Sequence, residues 1–583
     1  MSATEAMIQR ALDDELADLI ARIAPESDDA VLNAIRLLSH EVRQGHVCLQ
    51  LAAFAGQESG TGERLPALAE WRARLGHSRA VGQPGDCTPL ILDAASRLYF
   101  RRYWLYEQSL ARLLTARTGR DELMGEDQQA AEIAGRIFSL SAEQQRAVQT
   151  ALRHSLCILS GGPGTGKTTT IAGLLLALLQ QSPETRIVMA APTGKAAARM
   201  QQALGAVRDR FPEDLASRLP DKALTLHRLL GYQPGSIRFR HDRDRPLPWD
   251  VIIVDEASMI DLSLMARLVD AVPPAARLIL IGDRHQLASV EAGAVFGELC
   301  DPAPDNPLRA NQAHLLTSYR FDAERGIGLL ARAINEGDDD LVIELLQASA
   351  DETLVWLDSS ERTIDWRGIM ANKVDQQLTA LAGLTERCID TSDDCRELFD
   401  TLGRFQILCA HADGLRGVTG VTDEIEQRLA PFPSRRETRW YAGKPLMVLE
   451  NDYQNRLFNG DFGVCVDAGG ERWRVLFADA EEGGRRLLPI GRLPAHESAW
   501  AITVHKSQGS EFDEVLLIMP ESPSPVTTRE LLYTAVTRAR RRITIVGNEA
   551  VLRHAVRRQV VRHSGLLDAM RSLDGDKHGS SGG

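Results

Sequence analysis

An apolar segment, a glycine-rich loop and a helix-forming segment follow one another without interruption near residue 160, and this succession constrains the fold more than any other feature. Residues 157–159 are apolar, residues 160–168 carry the pattern G-x-x-x-x-G-K-T, and helix-forming residues continue from Thr169. A buried strand that ends in such a loop and continues as a helix is typical of a parallel sheet with helices on both faces. The sequence therefore predicts an α/β fold.

The loop has the chemistry of a phosphate site. Glycines let backbone N–H groups approach an anion, and the N-terminus of the following helix favours negative charge. In such loops the lysine, here Lys167, reaches the β- and γ-phosphates, and the adjacent hydroxyl, here Thr168, ligates Mg²⁺. We expect ATP and Mg²⁺ as cofactors, with the nucleotide contacted by Gly161, Gly162, Pro163, Gly164, Thr165, Gly166, Lys167, Thr168 and Thr169.

Two further apolar strands end in polar side chains that suit the same chemistry. Residues 251–254 precede Asp255 and Glu256, and residues 277–281 precede a polar tip that contains Gln286. Successive strand side chains point to opposite sides, so one carboxylate can bind Mg²⁺ while the other polarises an attacking water. We expect Asp255 to be the metal ligand and Glu256 the general base, with Gln286 near the γ-phosphate or the water.

A glutamine pair near the start of a helix is the candidate for nucleobase recognition. The segment 140–148 begins with a helix cap and contains Gln144 and Gln145. A glutamine amide can pair with N6 and N7 of adenine. We expect Gln144 to make this contact, and Gln145 is the alternative.

The succession of patterns predicts four regions. Residues 1–115 have helical spacing, and residues 120–330 and 331–550 alternate strands with helices. Residues 551–583 are expected to form a C-terminal helix and a Gly/Ser-rich, disordered tail from Asp574 onwards. Short strands at close spacing predict a small SH3-like β-barrel inserted at about 430–495. A polar, arginine-rich stretch at about 232–249 predicts a small hairpin within the first α/β lobe.

Composition excludes several classes of protein. The net charge is −13 over 583 residues, so no global positive field draws the chain to nucleic acid or membrane, and any such contact must be local. Residues 1–20 lack the basic and apolar parts of a signal peptide, and the apolar run 171–179 is too short to span a bilayer. The eight cysteines form no CxxC pair, which is typical of reduced thiols. We expect a cytoplasmic protein without membrane contact.

Nine stretches, taken in chain order, resemble the RecD family of superfamily 1 DNA helicases, the alpha subunits of exodeoxyribonuclease V. They are GGPGTGKTTT, APTGKAAARM, TLHRLLG, VIIVDEASM, GDRHQLASVEAGAVFGEL, LLTSYR, NDYQNRLFNGDFG, TVHKSQGSEF and YTAVTRAR, and they cover about residues 140–550. The resemblance implies two RecA-like lobes and ATP-driven 5′-to-3′ movement on single-stranded DNA. It also implies duplex-end DNA and RecB-like and RecC-like subunits as partners, in double-strand break repair by recombination and in DNA degradation. Residues 1–115 would then serve partner docking.

The same resemblance assigns roles to single residues. It implies Arg320 and Arg538 as arginine fingers that reach the γ-phosphate from opposite sides, and it places Glu511 near the ribose. Arg538 lies in a Thr-Arg-Ala-Arg cluster, which we expect to be exposed rather than buried. The positions that resemble contacts to single-stranded DNA are Thr193, Lys195, Thr225, His227, Thr503 and His505.

Four alternative functions make different demands on the sequence. Metal-dependent nucleases of the RecBCD type place a lysine two residues after an acid, and none of the seven lysines here has Asp or Glu at that position. A relaxase needs a His-x-His metal site, and no two histidines here have one residue between them. Nuclease activity of the complex would belong to another subunit. Intact motif residues argue against a degenerate helicase kept as a scaffold. A stand-alone superfamily 1 helicase is the alternative, and it would be monomeric and active without companions.

Overall fold

Four β-sheets with flanking helices organise the described part of the chain in a computed structural model. The described residues are 3–58, 64–118, 126–233, 235–236, 238–321, 325–348, 352–361, 365–388, 393–429, 440–452, 454–469, 472–478 and 485–579.

The N-terminal region is mainly helical, as predicted, and it also contains a small sheet that the helical spacing did not indicate. The sheet has the order β1-β4-β3-β2, and its strands are only two to four residues long. A separate apolar core that includes Ile35, Leu38 and Trp71 holds this region together. The elements are α1 (Ala3–Ile23), α2 (Asp29–Arg43), β1 (Leu49–Gln50), α3 (Leu51–Phe54), α4 (Leu68–His77), β2 (Val81–Gly82), β3 (Leu90–Leu92), β4 (Arg97–Phe100) and α5 (Arg101–Thr118).

The first lobe is a six-stranded parallel sheet, which confirms the predicted α/β fold. Its order is β10-β5-β9-β8-β6-β7, and β5, β6 and β8 are buried along their whole length because helices cover both faces. Its elements are α6 (Glu126–Phe138), α7 (Ala142–Arg153), β5 (Leu156–Gly161), α8 (Lys167–Gln181), β6 (Ile187–Ala191), α9 (Gly194–Gly205), α10 (Glu213–Ala216), β7 (Ala223–Thr225), α11 (Leu226–Leu230), β8 (Val251–Val254), α12 (Leu262–Ala271), β9 (Arg277–Gly282), α13 (Val295–Leu299) and β10 (Gln312–Leu315).

The expected hairpin at about 232–249 is much shorter than predicted. Among the described residues of this stretch, a single antiparallel bridge joins Tyr232 to Phe239. Residues 234 and 237 lie outside the described part of the chain.

The second lobe is a five-stranded parallel sheet of order β11-β20-β19-β12-β18. Its elements, with the inserted strands β13–β17 in chain order, are α14 (Gly326–Glu336), α15 (Asp339–Gln347), β11 (Leu354–Asp358), α16 (Trp366–Cys388), α17 (Asp393–Leu402), β12 (Phe405–Cys409), α18 (Val418–Leu429), β13 (Pro445–Val448), β14 (Phe462–Asp467), β15 (Trp473–Ala478), β16 (Arg485–Pro489), β17 (His496–Ser498), β18 (Ala501–Thr503), β19 (Phe512–Ile518), α19 (Arg529–Val536), β20 (Ala539–Gly547) and α20 (Glu549–Arg557).

The inserted strands form an antiparallel sheet of order β16-β15-β14-β13-β17. Strands β13–β16 lie where the sequence predicts strands, but in the described residues the edge strands β16 and β17 do not pair with each other. The described residues of the insertion therefore form a five-stranded antiparallel sheet, and the SH3-like barrel stays a prediction. The start of the predicted insertion, residues 430–439, lies outside the described residues.

Helix α5 crosses the predicted boundary at residue 115. Its Tyr103, Leu110 and Leu114 share one apolar core with the first lobe. The guanidinium of Arg117 donates hydrogen bonds of 2.9 Å to the backbone carbonyls of Val272, Pro273 and Ala276. Because α5 packs as part of the first lobe, we propose that the domain boundary lies before α5, near residue 100.

The C-terminal helix α21 (Leu566–Gly579) returns to this same core, in which Leu566 and Met570 are buried. It continues beyond Asp574, so residues 574–579 are helical where the sequence predicted disorder. Residues 580–583 lie outside the described part of the chain. Among the helices described, none is both long and apolar enough to cross a membrane.

Candidate active site

A cavity of about 380 Å³ lies between the two lobes, at the carboxyl ends of β5 and β8. All five side chains predicted to be catalytic line it, although they come from distant parts of the sequence. The lining includes Lys167, Glu256, Gln286, Arg320 and Arg538 together with Thr168, Asp255 and Glu511.

The glycine-rich loop between β5 and α8 needs its glycines for two physical reasons. Gly164 and Gly166 have φ of 79° and 80°, in the left-handed region that disfavours other residues. A side chain on Gly164 would collide with Arg320, and one on Gly166 would collide with Gln144. The ammonium of Lys167 donates a 2.7 Å hydrogen bond to the Gly161 carbonyl. The loop therefore presents its lysine and the α8 N-terminus to the cavity, as an anion site requires.

The two adjacent carboxylates both face the cavity because the chain turns sharply after β8. Glu256 has φ of 52°, and its N–H donates a 2.8 Å hydrogen bond to Asp255 Oδ1. Burial, and then the charge of Glu256, raise the pKa of Asp255 to about 6, while Lys167 opposes this shift. A half-buried carboxylate that lines the same cavity as a lysine and a threonine hydroxyl fits Mg²⁺, which typically takes one or two protein ligands together with phosphate oxygens.

A polar network joins the lobes beside these carboxylates. Gln286 is buried, and its amide donates a 3.1 Å hydrogen bond to Asp283, while in the described structure no protein group bonds to its carbonyl oxygen. Asp283 also accepts a 3.0 Å hydrogen bond from the Tyr533 hydroxyl of α19. The Leu287 N–H donates to the Thr534 hydroxyl at 2.9 Å. An unpaired buried acceptor at the cavity wall suits a bound water, the role predicted for Gln286.

Arg538 is buried, at 2% exposure, so the expectation of an exposed arginine cluster is wrong for this residue. It lies between α19 and β20, where its guanidinium donates to the carbonyls of Thr534 and Ser510 at 3.2 and 3.1 Å. Burial lowers its pKa, and the charges of Glu256 and Glu511 oppose that shift. Spacing along the chain does not reveal this burial, because Ser510 comes from a distant segment of the same lobe.

Glu511 is surrounded by three arginines. Its carboxylate lies 2.8 Å from Arg320, 3.1 Å from Arg199 and 3.3 Å from Arg540. Burial alone would raise the pKa of Glu511, but Arg199 and Arg320 hold it well below its usual value. A carboxylate has about four lone-pair sites, so this geometry leaves room for a ribose hydroxyl beside the arginines.

Arg199 is a site residue that the sequence analysis missed. It lines the cavity, and it also donates a 2.9 Å hydrogen bond to the Gly509 carbonyl of the second lobe. The available signal was its spacing, because Arg199 lies one helical turn after Lys195 in α9 and therefore on the same face. The missed Tyr319 also lines the cavity, near Gly166, with 61% of its surface exposed. An exposed aromatic ring there can stack on a nucleobase.

The two glutamines proposed for adenine do not line this cavity. Gln144 forms a capping box with Ser141, and its amide nitrogen donates a 3.2 Å hydrogen bond to the Thr165 carbonyl. Gln145 donates to the Leu140 carbonyl at 3.0 Å. Both amides therefore have local partners here, and base recognition by either one stays a prediction.

The predicted DNA contacts are spread over both lobes. Thr193 and Thr225 cap α9 and α11 by accepting from backbone N–H groups at 3.2 and 3.3 Å, and Thr503 accepts from the Lys506 N–H at 3.3 Å. A Cβ placed on Gly509 of the second lobe would lie 4.0 Å from the Thr193 hydroxyl. The structure thus brings Thr193 to the cleft between lobes.

Of the remaining predicted contacts, His227 is exposed, whereas His505 and Lys195 are half-buried. The His227 ring lies beside the rings of Tyr232 and Phe239, and burial lowers its pKa. Burial also lowers the pKa of His505. Lys195 lies against the inserted sheet rather than on an open surface, with its ammonium 4.1 Å from the centre of the Phe462 ring.

Comparison with known proteins agrees with this geometry. The family described as the N-terminal domain of RecBCD enzyme subunit RecD matches residues 5–99, an AAA domain matches residues 144–292, and a UvrD-like helicase C-terminal domain matches residues 498–546. RecBCD enzyme subunit RecD of Mycobacterium tuberculosis is 41% identical over 572 residues, which cover 96% of this chain and 94% of that protein. The chain belongs to the RecD family. It is an ATP-dependent helicase, as the sequence predicted.

The chain is also similar to a second type of helicase and to a solved structure. The ATP-dependent RecD2 DNA helicase of Deinococcus radiodurans is 31% identical, over 85% of this chain and 59% of that protein. Among solved structures, Bacteroides Pif1 bound to ssDNA aligns with a TM-score of 0.40 at 18% identity, over 75% of this chain and 98% of that one.

Proposed function

We propose that this chain is the RecD-type motor subunit of a RecBCD-type helicase–nuclease complex. It hydrolyses ATP to move 5′-to-3′ on single-stranded DNA from duplex ends, in double-strand break repair by recombination and in DNA degradation. One observation supports this most strongly: a single cavity brings together Lys167 and Glu256 of the first lobe with Arg538 of the second. Hydrolysis at such a site depends on how the lobes are placed, which is what a motor requires.

The roles follow from where each side chain lies. The loop N–H groups and Lys167 would bind the β- and γ-phosphates, while Thr168 and Asp255 would hold Mg²⁺. Bound Mg²⁺ would neutralise developing phosphate charge. Glu256 would accept a proton from the attacking water, with Gln286 orienting that water. Arg320 would leave Glu511 for the γ-phosphate, and Arg538 would meet it when the lobes close.

Partner assembly rests on the N-terminal region. Relatives of this chain are subunits of RecBCD enzymes, and their N-terminal domain description matches residues 5–99. Helix α1 carries an apolar stripe at helical spacing whose members Leu12, Leu19 and Ile23 are 51%, 49% and 55% exposed. A stripe of this kind suits a protein partner. We place the docking of a RecC-like subunit here, with the nuclease in a RecB-like subunit.

The stand-alone helicase is the alternative, favoured by the similarity to RecD2. Co-purification of the untagged chain from its source separates the two proposals. A chain that elutes as an active monomer without companions supports the alternative, and a chain that elutes with two larger subunits supports the complex.

The hydrolytic assignment is tested with charge-removing substitutions. We expect Lys167→Gln and Glu256→Gln each to lower DNA-stimulated ATP turnover by about 10³-fold or more, because each removes a group that acts on the transferred phosphate or the water. The measurement is steady-state ATP hydrolysis with saturating single-stranded DNA. The control is Glu184→Gln, at an exposed site away from the cavity. Near-normal turnover in a folded Glu256→Gln protein would remove Glu256 as general base.

A further inference from the structure

A second and larger cavity, of about 1180 Å³, opens between helix α9, the second lobe and the inserted sheet. Nine of its lining side chains are Lys or Arg, and five are Asp or Glu. This is a locally positive surface on a chain whose net charge is −13. Lys195 and Thr225, two of the positions that resemble DNA contacts, are among the lining residues. The cavity therefore has the electrostatic character of a phosphate path.

Three aromatic rings of the insertion line this cavity, and two of them, Phe458 and Phe462, each face a cation of the first lobe. The Lys195 ammonium lies 4.1 Å from the centre of the Phe462 ring. The Arg228 guanidinium lies 5.4 Å from the centre of the Phe458 ring. Both rings are half-buried and line the cavity. Rings and cations thus alternate across the gap between lobe and sheet.

The segment that carries these rings is held rigidly. The Phe458 N–H donates a 2.8 Å hydrogen bond to Asp461, and the Asn459 N–H donates a 3.0 Å bond to Asn451. Phe458 also lies so close to Gly194 that a side chain there would come within 2.9 Å of its Cβ. The glycine at the start of α9 therefore admits the ring. This segment belongs to the stretch NDYQNRLFNGDFG, to which the hydrolytic site assigns no role.

We propose that Phe458 and Phe462 form a base-stacking wall of the single-strand DNA path, opposite Lys195 and Arg228, which bind the phosphates. The inference rests on the proposed function and adds a second wall to the path. Sequence-independent grip on single strands combines aromatic stacking with cationic contacts to the backbone, and this cavity offers both. An entering base takes the place of the cation over each ring, and the displaced cation moves to the neighbouring phosphate.

A purely structural role does not account for the position of these rings. Phe462 packs against two apolar cores, but it also lines the cavity beside the half-buried Lys195 ammonium. Burial lowers the pKa of Lys195 to about 7. A phosphate in the cavity would favour the charged ammonium again. Binding of an anionic DNA strand would therefore stabilise the charged form of Lys195 at this ring–cation pair.

The test is a cycle that pairs the protein rings with the DNA bases. Phe458→Leu and Phe462→Leu remove the aromatic face but keep apolar bulk, and Phe54→Leu, in the N-terminal region, is the matched control. Affinity is measured by fluorescence anisotropy for an unstructured oligothymidine and for an abasic strand of equal length. We expect each ring variant to bind oligothymidine about tenfold more weakly and to bind the abasic strand like the wild type. Phe462→Trp keeps an aromatic face, so it should bind oligothymidine like the wild type, unlike Phe462→Leu.

Salt dependence and hydrolysis separate the possible outcomes. The ring variants should keep the wild-type dependence of affinity on salt, because they change no phosphate contact. Wild-type affinity for oligothymidine in both variants would overturn the inference, and so would equal losses on the two strands, which indicate a ring that only supports the sheet. In those cases DNA-stimulated ATP hydrolysis by the wild type still stands. A wild-type protein that neither binds single strands nor responds to them would overturn the proposed function together with the inference.

Discussion

Replacing Arg538 by glutamine tests whether this buried arginine acts on the transition state of ATP hydrolysis. The guanidinium reaches the cavity between the lobes, yet within the described part of the chain its hydrogen bonds go to the backbone carbonyls of Thr534 and Ser510. Glutamine keeps one donor of similar reach and removes the charge. The substitution therefore separates the charge at the γ-phosphate from the support of the backbone.

The expected magnitudes differ for rate and for stability. Arginine fingers typically contribute about 10³–10⁵ in kcat, and Arg320 would still be present, so we expect a loss in kcat of at least about 10²-fold. The Kd for ATP should change by less than about threefold, because the charge meets the phosphate only on closure. Losing one hydrogen bond from a charged donor costs about 1.5–3 kcal/mol of folding free energy. Burial already disfavours the charge of Arg538 and lowers its pKa, so the net loss should be smaller.

The assay combines single-turnover hydrolysis at saturating DNA, nucleotide binding at equilibrium and thermal unfolding. Arg153→Gln, at an exposed position at the end of α7, is the matched control. Equal losses in affinity and rate would indicate a contact made already in the ground state. An unchanged kcat in a folded Arg538→Gln protein would refute the reasoning, because the buried arginine would then be only structural.

Two further predictions concern pH and domain boundaries. Burial lowers the pKa of Lys195 to about 7, so the lysine of the DNA-free protein loses its proton as pH rises through 7. Bound phosphate favours the charged ammonium, so DNA binding above pH 7 requires the uptake of a proton. Single-strand affinity should therefore fall by up to about tenfold per pH unit between pH 7 and 9. Anisotropy titrations should show no such fall for Lys195→Arg. Asp461→Asn is the control for the neighbouring carboxyl, whose pKa burial raises to about 6. A fall in affinity that persists in Lys195→Arg would contradict the assignment. Deleting residues 1–115 should lower the Tm more than deleting residues 1–100, since only the longer deletion removes Tyr103 and Leu110 of α5 from the core of the first lobe. Circular dichroism melts measure this difference, and equal melting of the two truncated chains would return the boundary to residue 115.

The hydrolytic site could be predicted from the sequence where its chemistry is local. The loop before α8 carries its own signal, because glycines, a lysine and a threonine must stand at fixed spacing to bind phosphate. Asp255 and Glu256 were found because they end an apolar strand, and parallel strands end at a common edge. The structure brings these residues to one cavity, as this argument requires.

The features that could not be predicted from the sequence depend on contacts between distant segments. The buried Arg538 bonds to Ser510 from a distant segment of its own lobe, and the three arginines around Glu511 come from three separate parts of the chain. Spacing along the chain places α5 in the N-terminal region, yet α5 completes the core of the first lobe. Strands of two to four residues, such as those of the N-terminal sheet, are too short to show a period of two.

The two cavities share a wall, and this wall offers a path by which nucleotide binding in one cavity would affect DNA binding in the other. Arg199 and Glu511 line both the nucleotide cavity and the larger positive cavity. If Arg320 turns to a γ-phosphate, Glu511 keeps Arg199 and Arg540 as its remaining partners, and their balance around the carboxylate changes. Arg199 lies one turn from Lys195 on α9, so a shift of this ion pair would act on the helix that carries the proposed phosphate contact to DNA. We propose that nucleotide binding and DNA binding are coupled through Glu511 and its arginines, without direct contact between the two ligands.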